Sequence, residues 1–378
     1  MKYKLADLLT IYNGCDHKHL GTGCIPVYGS GGIMRYVDSA LSHGPSILLP
    51  RKGTIDNIQY VEGPFWSVDT AYYTKINTEI ANPYYLYCYL CSLDLSGLVS
   101  GTGLPSMTFD SYYHVVVDLP QIDYQNKVAN CLMNLDRKIA LNRKINAELE
   151  QMAKELYDYW FVQFDFPNAE GKPYKSSHGK MVYNDQLKRK IPEGWSNARL
   201  IDIANITMGQ SPEGSTYNGN GDGVLFYQGS TDFGERFPQV RQYTTSPTRF
   251  AKKGDILMSV RAPVGATNIA NNDCCIGRGL CAMNSKIGSI THLYYIIKTF
   301  EQRFNHANAS GTTFGSITKE ELHQLPVIKP EQSIINQFES ICQPIFDKQM
   351  TIGEENNRLV SLRDQLLPLL MNGQVKIK

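Results

Sequence analysis

Two stretches of the chain place apolar residues on alternating steps of three and four, the spacing that lines up side chains along one face of an α-helix. The first runs through Val128, Leu132, Leu135, Ile139, Asn142, Asn146, Leu149, Ala153 and Leu156. The second runs through Phe338, Ile341, Ile345, Lys348, Ile352, Glu355, Leu359, Leu362, Leu366 and Leu369. This spacing predicts a helix over 121–163 and another over 331–372, each carrying a stripe that a lone helix leaves in water. Burying one stripe against the other is the economical solution. Leu132, Leu135, Ile139, Leu149 and Leu156 are then expected to face Ile341, Ile345, Ile352, Leu359, Leu362 and Leu366. The alternative is that each helix packs on its own domain as an ordinary core helix. Asn142 and Asn146 either set the register of the pair or mark where the seam leaves its partner.

Outside these helices the pattern shortens. Ser46 to Leu49, Ile58 to Val61 and Asp255 to Val260 are β-prone runs separated by Gly, Pro and Asn turn signals. Helices are expected over Pro83 to Leu93 and His292 to Phe304. The chain also repeats itself. Ser100-Gly101-Thr102 through Thr108 lies over Ser310-Gly311-Thr312 through Thr318 without a gap, and the same offset superposes Pro120 on Pro330. Pro26 to Ser30 answers to Leu225 to Ser230 with one inserted residue, Gly44 to Leu49 answers to Lys253 to Met258, and Asp7 and Gly14 answer to Asp202 and Gly209. The expected domains are 1–120, a helix over 121–163, a linker over 164–194, a second domain over 195–330 and a helix over 331–372. The fold class is α+β: two similar mixed α/β domains, each followed by a long helix, with the helices paired as an antiparallel coiled coil of pseudo-twofold symmetry.

Composition narrows the chemistry. With 378 residues the chain has room for two to three domains. Lys plus Arg number 37 against 36 for Asp plus Glu, so any surface for a polyanion must come from local segregation of charge. Nine irregularly placed cysteines in a chain of this size read as reduced thiols. No stretch approaches a membrane span and Met1 to Thr10 lacks the layout of a signal peptide, so the cytoplasm is the expected compartment. Gly209 to Thr216 imitates a phosphate-binding loop but has Ser215 where the lysine should stand. Asn82-Pro83-Tyr84-Tyr85 only approaches an adenine-methyltransferase motif, has no counterpart in the repeat, and reads as a helix start. Cys88 and Cys91 lack a second pair, and Cys15, His17 and His19 read as polar surface, so no metal and no catalytic group are expected on this chain.

The linker runs Trp160-Phe161-Val162-Gln163-Phe164-Asp165-Phe166-Pro167, then Gly171-Lys172-Pro173-Tyr174-Lys175, and closes with Ile191-Pro192-Glu193-Gly194-Trp195. Together with Tyr28-Gly29-Ser30-Gly31-Gly32, the two Ser-Gly-Thr segments and the terminal Gln365 to Gly373, it resembles the specificity subunits of type I restriction-modification systems over essentially the whole chain. The resemblance implies a noncatalytic subunit whose two target-recognition domains each read one half of a split, asymmetric duplex DNA target. The paired helices would set the gap and help dock two methyltransferase subunits, and restriction subunits would join that core. S-adenosylmethionine, ATP and Mg are then expected on the partners and not here. Helices of about 35–40 residues are on the order of 50–60 Å long at 1.5 Å per residue. Such a length suits two heads about one duplex turn of ~34 Å apart.

A DNA reader needs cations near phosphates and polar groups near base edges. In the first domain Lys18, Arg35, Arg51 and Lys52 are favoured, with Tyr28, Ser30 and Thr102 beside them. In the second the choice falls on Gln228, Ser230, Thr231, Arg236, Arg241, Arg261, Arg278 and Thr312. Lys52 and Arg261 correspond in the two copies, each a few residues past an apolar strand. Two other readings compete: a DNA-recognition module of the same architecture that serves a different effector, and a methyltransferase or nuclease with unfamiliar motifs. Copurification with a methyltransferase separates the first, and activity of the isolated chain would support the second.

Overall fold

A computed structural model describes residues 1–99, 105–309, 315–375 and 377, with the side chains of 306–309 left out of that description. It divides into two compact units, one of Met1–Ala140 with Arg358–Lys378 and one of Leu141–Asn357.

In the first unit the short helix α1 (Leu5–Leu8) leads into a four-stranded antiparallel sheet ordered Leu9–Asn13, Ala71–Ile76, Ser46–Pro50, Gln59–Val61. A second sheet, ordered Gly32–Val37, Thr22–Gly29, Pro64–Ser67, Ser42–His43, contains one parallel pairing, Val27 opposite Trp66. Helix α2 (Pro83–Cys91) starts where the sequence says it must. Asn82 accepts from the backbone N–H groups of Tyr84 and Tyr85, both at 3.0 Å, and Pro83 takes the first helical position, where a missing N–H costs nothing. Leu5, Leu8, Ile47, Leu49, Leu86 and Tyr112 are fully buried between these layers. A further short helix, α3 (Phe109–Tyr113), is capped by the Thr108 hydroxyl.

The second unit repeats the plan. Its four-stranded sheet is ordered Ala204–Met208, Leu280–Ser285, Ile256–Ser259, Thr267–Ile269, strand for strand the order of the first. Beside it lies a five-stranded sheet with one parallel pairing, Phe226 opposite Cys275.

The order of elements in the chain is α4 (Ile122–Tyr157), which continues into a π turn at Asp158–Val162, then α5 (Leu200–Ile203), α6 (Ile290–Ala309), α7 (Lys319–His323) and α8 (Gln332–Met371). The Thr318 hydroxyl caps α7 as Thr108 caps α3. The linker is ordered by its own side chains. Phe166 stacks between Tyr174 and Trp195, with ring centroids at 4.7 and 4.9 Å, and Asp165 accepts from the Ser176 N–H and hydroxyl at 2.7 Å each. Gly194 is required there: its φ is +86°, and a Cβ would sit 2.2 Å from Glu331 Oε1.

Both units show α4 and α8 running antiparallel. In the first, the Tyr124 hydroxyl donates to the Val375 carbonyl at 2.9 Å, and Arg363 Nη1 donates to Asp136 Oδ1 at 2.9 Å. In the second, Asn142 Nδ2 donates to Glu355 at 2.7 Å, Gln349 Nε2 donates to the Asn146 carbonyl at 3.2 Å, and the Trp160 and Phe338 rings lie 5.8 Å apart. As one number rises its partner falls.

On α4 the buried face follows the expected positions: Val128, Leu132, Ile139, Asn142 and Ala153 are buried, and Leu135, Leu149 and Leu156 are half-buried. On α8 some of the expected positions are displaced by one residue. Ile345, Ile352, Leu359 and Leu366 face inward, but Ile341 and Leu362, assigned to the seam from the sequence, are 47% and 44% exposed. Cys342, Gln349 and Arg363 turn inward where the sequence puts Ile341, Lys348 and Leu362, whereas Glu355 keeps its place in the seam by accepting from Asn142, with Asn356 buried beside it. The physical reason is visible in the bonds: polar side chains are tolerated in the seam because carboxylates and carbonyls of α4 receive them.

Candidate nucleic-acid interface

Three turns of the first domain are tied together by main-chain bonds at one end of its sheets. Ser30 N–H donates to the Thr70 hydroxyl at 3.3 Å, and the N–H groups of Arg51 and Lys52 both donate to the Thr70 carbonyl, at 2.9 and 3.3 Å. Asn57 Nδ2 donates to the Ser30 carbonyl at 2.7 Å, and Gln59 Nε2 to the Gly29 carbonyl at 2.9 Å. Ser30, Arg51 and Lys52 are thereby brought to one place. Lys52 is exposed and forms an isolated bridge with Ser106, within the repeated stretch that begins with the first Ser-Gly-Thr. Tyr28, half-buried on the strand that enters the turn, has its hydroxyl pKa raised by burial and then by Tyr36.

The second domain assembles the same three turns with other side chains. Gly277 N–H donates to the Tyr227 carbonyl at 2.8 Å, Gly279 N–H to the Gln228 carbonyl at 3.2 Å, and Val260 N–H to the Gly279 carbonyl at 2.9 Å. This joins Gln228, Ser230, Arg278 and Arg261. Arg261 is exposed and bridges Ser316, the counterpart of Ser106, so the pairing of Lys52 with Arg261 read from the repeat is a pairing of equivalent sites. Asp232, buried beneath the turn, accepts from the Gln228 N–H at 2.7 Å and stands 3.9 Å from Arg241 Nε. Thr231, Arg241 and Arg278 are exposed.

At these positions the two copies carry Lys52 against Arg261, and Asp69-Thr70 against the Arg278 turn. A common frame thus presents two different sets of donors and charges. The family model described as type I restriction modification DNA specificity domain matches residues 1–151 and again 192–355. The chain belongs to that family.

Among relatives of this specificity-domain chain, a putative type I restriction enzyme MjaX specificity subunit of Methanocaldococcus jannaschii is 29% identical over 276 residues, 70% of this chain and 60% of the relative. The MjaIX specificity subunit of the same organism is 27% identical over 75% of this chain and 66% of the relative, so this chain spans less than two thirds of the length of either. The HindI specificity subunit of Haemophilus influenzae is 25% identical over 79% of each chain. The fold is shared with the crystal structure of a type I restriction-modification S subunit from M. genitalium, with a TM-score of 0.67, 14% identity, and coverage of 98% of this chain and 95% of that one.

Several residues proposed from the specificity-domain sequence stand apart from the turns. Arg236 is the clearest correction. Its side chain is 12% exposed and points into the second unit, donating to Gln349 Oε1 at 3.0 Å and Glu150 Oε2 at 3.4 Å, with its guanidinium 5.1 Å from the Phe346 ring centroid. It joins the second domain to the helix pair and is not available to DNA. Arg35 is half-buried and donates to the Leu20 carbonyl at 2.8 Å, holding the loop that precedes the neighbouring strand Thr22–Gly29. Lys18 is exposed on a separate loop, whereas Arg51 stays in its turn with its guanidinium 5.8 Å from the Tyr72 ring centroid. Thr102 and Thr312 lie outside the described residues. Among the described residues no group of three or more His, Cys, Asp or Glu gathers as a metal site. Cys88 is buried in α2, where burial pushes its thiol up to about 12, and His19 packs edge-on against Trp66 at 5.8 Å.

Sequence reasoning missed Ser211 and Thr70. The Ser211 hydroxyl accepts from Gln228 Nε2 at 3.4 Å and from the Arg278 N–H at 3.2 Å, so it orients two favoured residues. The signal that finds it is the repeat: Gly209 answers to Gly14 at the same end of the sheet.

The Arg236→Met variant is expected to lose about 2–3 kcal/mol of stability, because it leaves the partly buried Glu150 without its cation. Thermal unfolding measures that loss, while the salt dependence of DNA binding should stay unchanged. A reduced salt slope with undiminished stability would return Arg236 to the DNA surface.

Proposed function

We propose that this chain is the DNA-reading, noncatalytic subunit of a type I restriction-modification assembly. Each domain would read one half of a split, asymmetric target with its three-turn end. The antiparallel helices would set the gap and dock two methyltransferase subunits, and restriction subunits would complete the complex. S-adenosylmethionine, ATP and Mg would reside on those partners, and the assembly would act in the cytoplasm. No helix among the described residues is long and apolar enough to cross a membrane.

The observation that carries this reading is the duplicated strand order with unlike residues at equivalent turns. An internal near-symmetry gives two identical partners equivalent places to dock, and divergence at the turns gives two different sequences to read. Arginine at 261 can engage guanine through two hydrogen bonds, whereas lysine at 52 offers a single cationic head for phosphate or one acceptor.

Mapping methylated adenines in DNA exposed to the chain reconstituted with its methyltransferase partners is expected to return a split motif with one fixed gap. A continuous motif, or methylation by the isolated chain, would overturn the proposal. In the same system Arg261→Ala is expected to weaken specific binding by about 1–3 kcal/mol and relax one half of the motif, if its contact is to a base. A contact to phosphate predicts instead a lower salt slope with the motif intact.

A further inference from the structure

The turn that carries Ser30 is also the tip of the hairpin Thr22–Gly29 with Gly32–Val37, the edge of the four-stranded sheet, and that hairpin exposes apolar side chains on its outer strand. Ile33, Met34 and Tyr36 are 51%, 60% and 50% exposed. The register explains the projection. Gly29 lies opposite Gly32, Tyr28 opposite Ile33, and Val27 opposite Arg35, so Met34 is the extra residue of a β-bulge. Bulges re-aim side chains, and this one lays the thioether across the tip: a Cβ on Gly29 would stand 2.8 Å from the Met34 sulfur and 3.4 Å from the Thr70 hydroxyl. The exposed methionine therefore adjoins the group formed by Ser30, Thr70 and the Arg51-Lys52 backbone, and the apolar surface is continuous with the candidate DNA surface.

The second domain serves as an internal control. There Gly229-Ser230 opens a short 3-10 turn, Ser230–Asp232, and the same place is filled by Thr231, Asp232 and Arg241. The first copy exposes two adjacent apolar side chains at this turn, whereas the second exposes Thr231 there, with Val240 and Arg241 further along the loop and Asp232 buried beneath it.

The major groove is wide enough to admit a hairpin tip, and the thymine C5-methyl is the apolar group that base edges offer there. Met and Ile are suited to no polar base edge, and Met adapts its shape to what it meets. We propose that the tip of this edge hairpin of the first domain enters the major groove and that Met34, with Ile33, reads thymine by contact with its methyl group. This rests on the DNA-reading role proposed above and assigns that role a base.

The test replaces thymines of the mapped target one at a time by deoxyuridine, which removes only the methyl group, and measures binding by the reconstituted complex. Affinity is expected to fall about three- to fourfold at each contacted thymine, the factor for one methyl leaving an apolar contact. The Ile33→Ala/Met34→Ala variant is expected to bind the all-thymine duplex more weakly by a similar factor and to be indifferent to the uridine. Both side chains are half exposed or more, so the fold should tolerate the change, and circular dichroism checks it. Full uridine sensitivity in the variant, or none at any position in the unaltered complex, would overturn the proposal. So would a variant that binds DNA normally but loses a protein partner. If the unaltered complex shows no preference for the mapped duplex, the DNA-reading role itself falls, a result distinguishable from the others.

Discussion

Replacing Phe338 by alanine is expected to destabilise the unit of Leu141–Asn357 by about 3–5 kcal/mol, the cost of a large cavity in a well-packed core. Phe338 has no exposed surface, and its ring meets Phe161 at 5.0 Å, Trp160 at 5.8 Å, Tyr157 at 6.2 Å and His292 at 6.4 Å. Those partners come from the end of α4 and from α6, so one side chain of α8 joins three helices. Little can collapse into the space, because the neighbours are rigid rings held by one another. The comparison that gives the number meaning is Ile341→Ala, three residues on. By composition Ile341 belongs to the same apolar stripe, but it is 47% exposed and its truncation is expected to change stability by no more than about 0.5 kcal/mol. Denaturant unfolding of both variants measures the register of the seam. Equal losses would show that the stripe read from hydrophobicity alone is the one that packs.

That contrast shows what was legible in the sequence. Helix positions, the antiparallel partner and the repeat of the sheets follow from periodicity and self-similarity, since both report which faces are hidden from water. The step of α8 did not follow. A heptad can be entered at either of two offsets, and Ile341 and Leu362 favour the offset that the structure rejects. Gln349 is buried and Arg363 half-buried because Glu150, the Asn146 carbonyl and Asp136 lie opposite, and a single chain read in order does not reveal those partners. Asp136 also accepts from the Tyr84 hydroxyl, so a seam carboxylate gathers donors from α2 and α8.

The same limit applies to the candidate interface. Lys52 and Arg261 were legible because the repeat aligns them. Arg236 was not, because an arginine in a Gly- and Phe-rich loop looks the same in sequence whether it faces solvent or Glu150. Met34 was passed over for the opposite reason: apolar residues are assumed to be inside until a structure shows them outside.

The second large effect is expected from acid. His292 is fully enclosed, and burial holds its imidazole pKa down at about 3. The tilted or edge-on rings of Tyr157, Phe161 and Phe338 surround it, and only its backbone N–H, not its ring, donates to the Ser289 hydroxyl. In the unfolded chain the same ring takes up a proton near pH 6.5. Above that pH both states are neutral and the group contributes nothing to the pH dependence. Below it the unfolded state binds a proton that the folded state refuses, so stability falls as pH falls, by about 1.4 kcal/mol per unit for this group alone, and the loss levels off only near pH 3. The integrated cost is on the order of 4–5 kcal/mol. Carboxylates held low in the folded state, such as Asp165 beside Ser176 and Asp202 beside Arg199, add their own loss further down, near and below pH 4. The histidine is therefore seen cleanly between pH 6.5 and 5, where stability of the parent chain should drop by about 2 kcal/mol. In the His292→Gln variant, which carries no titrating ring, the curve over that interval should be flat whatever its absolute height. A parent chain whose stability is level from pH 6.5 to 5 would show that the imidazole finds a proton acceptor or water inside the core.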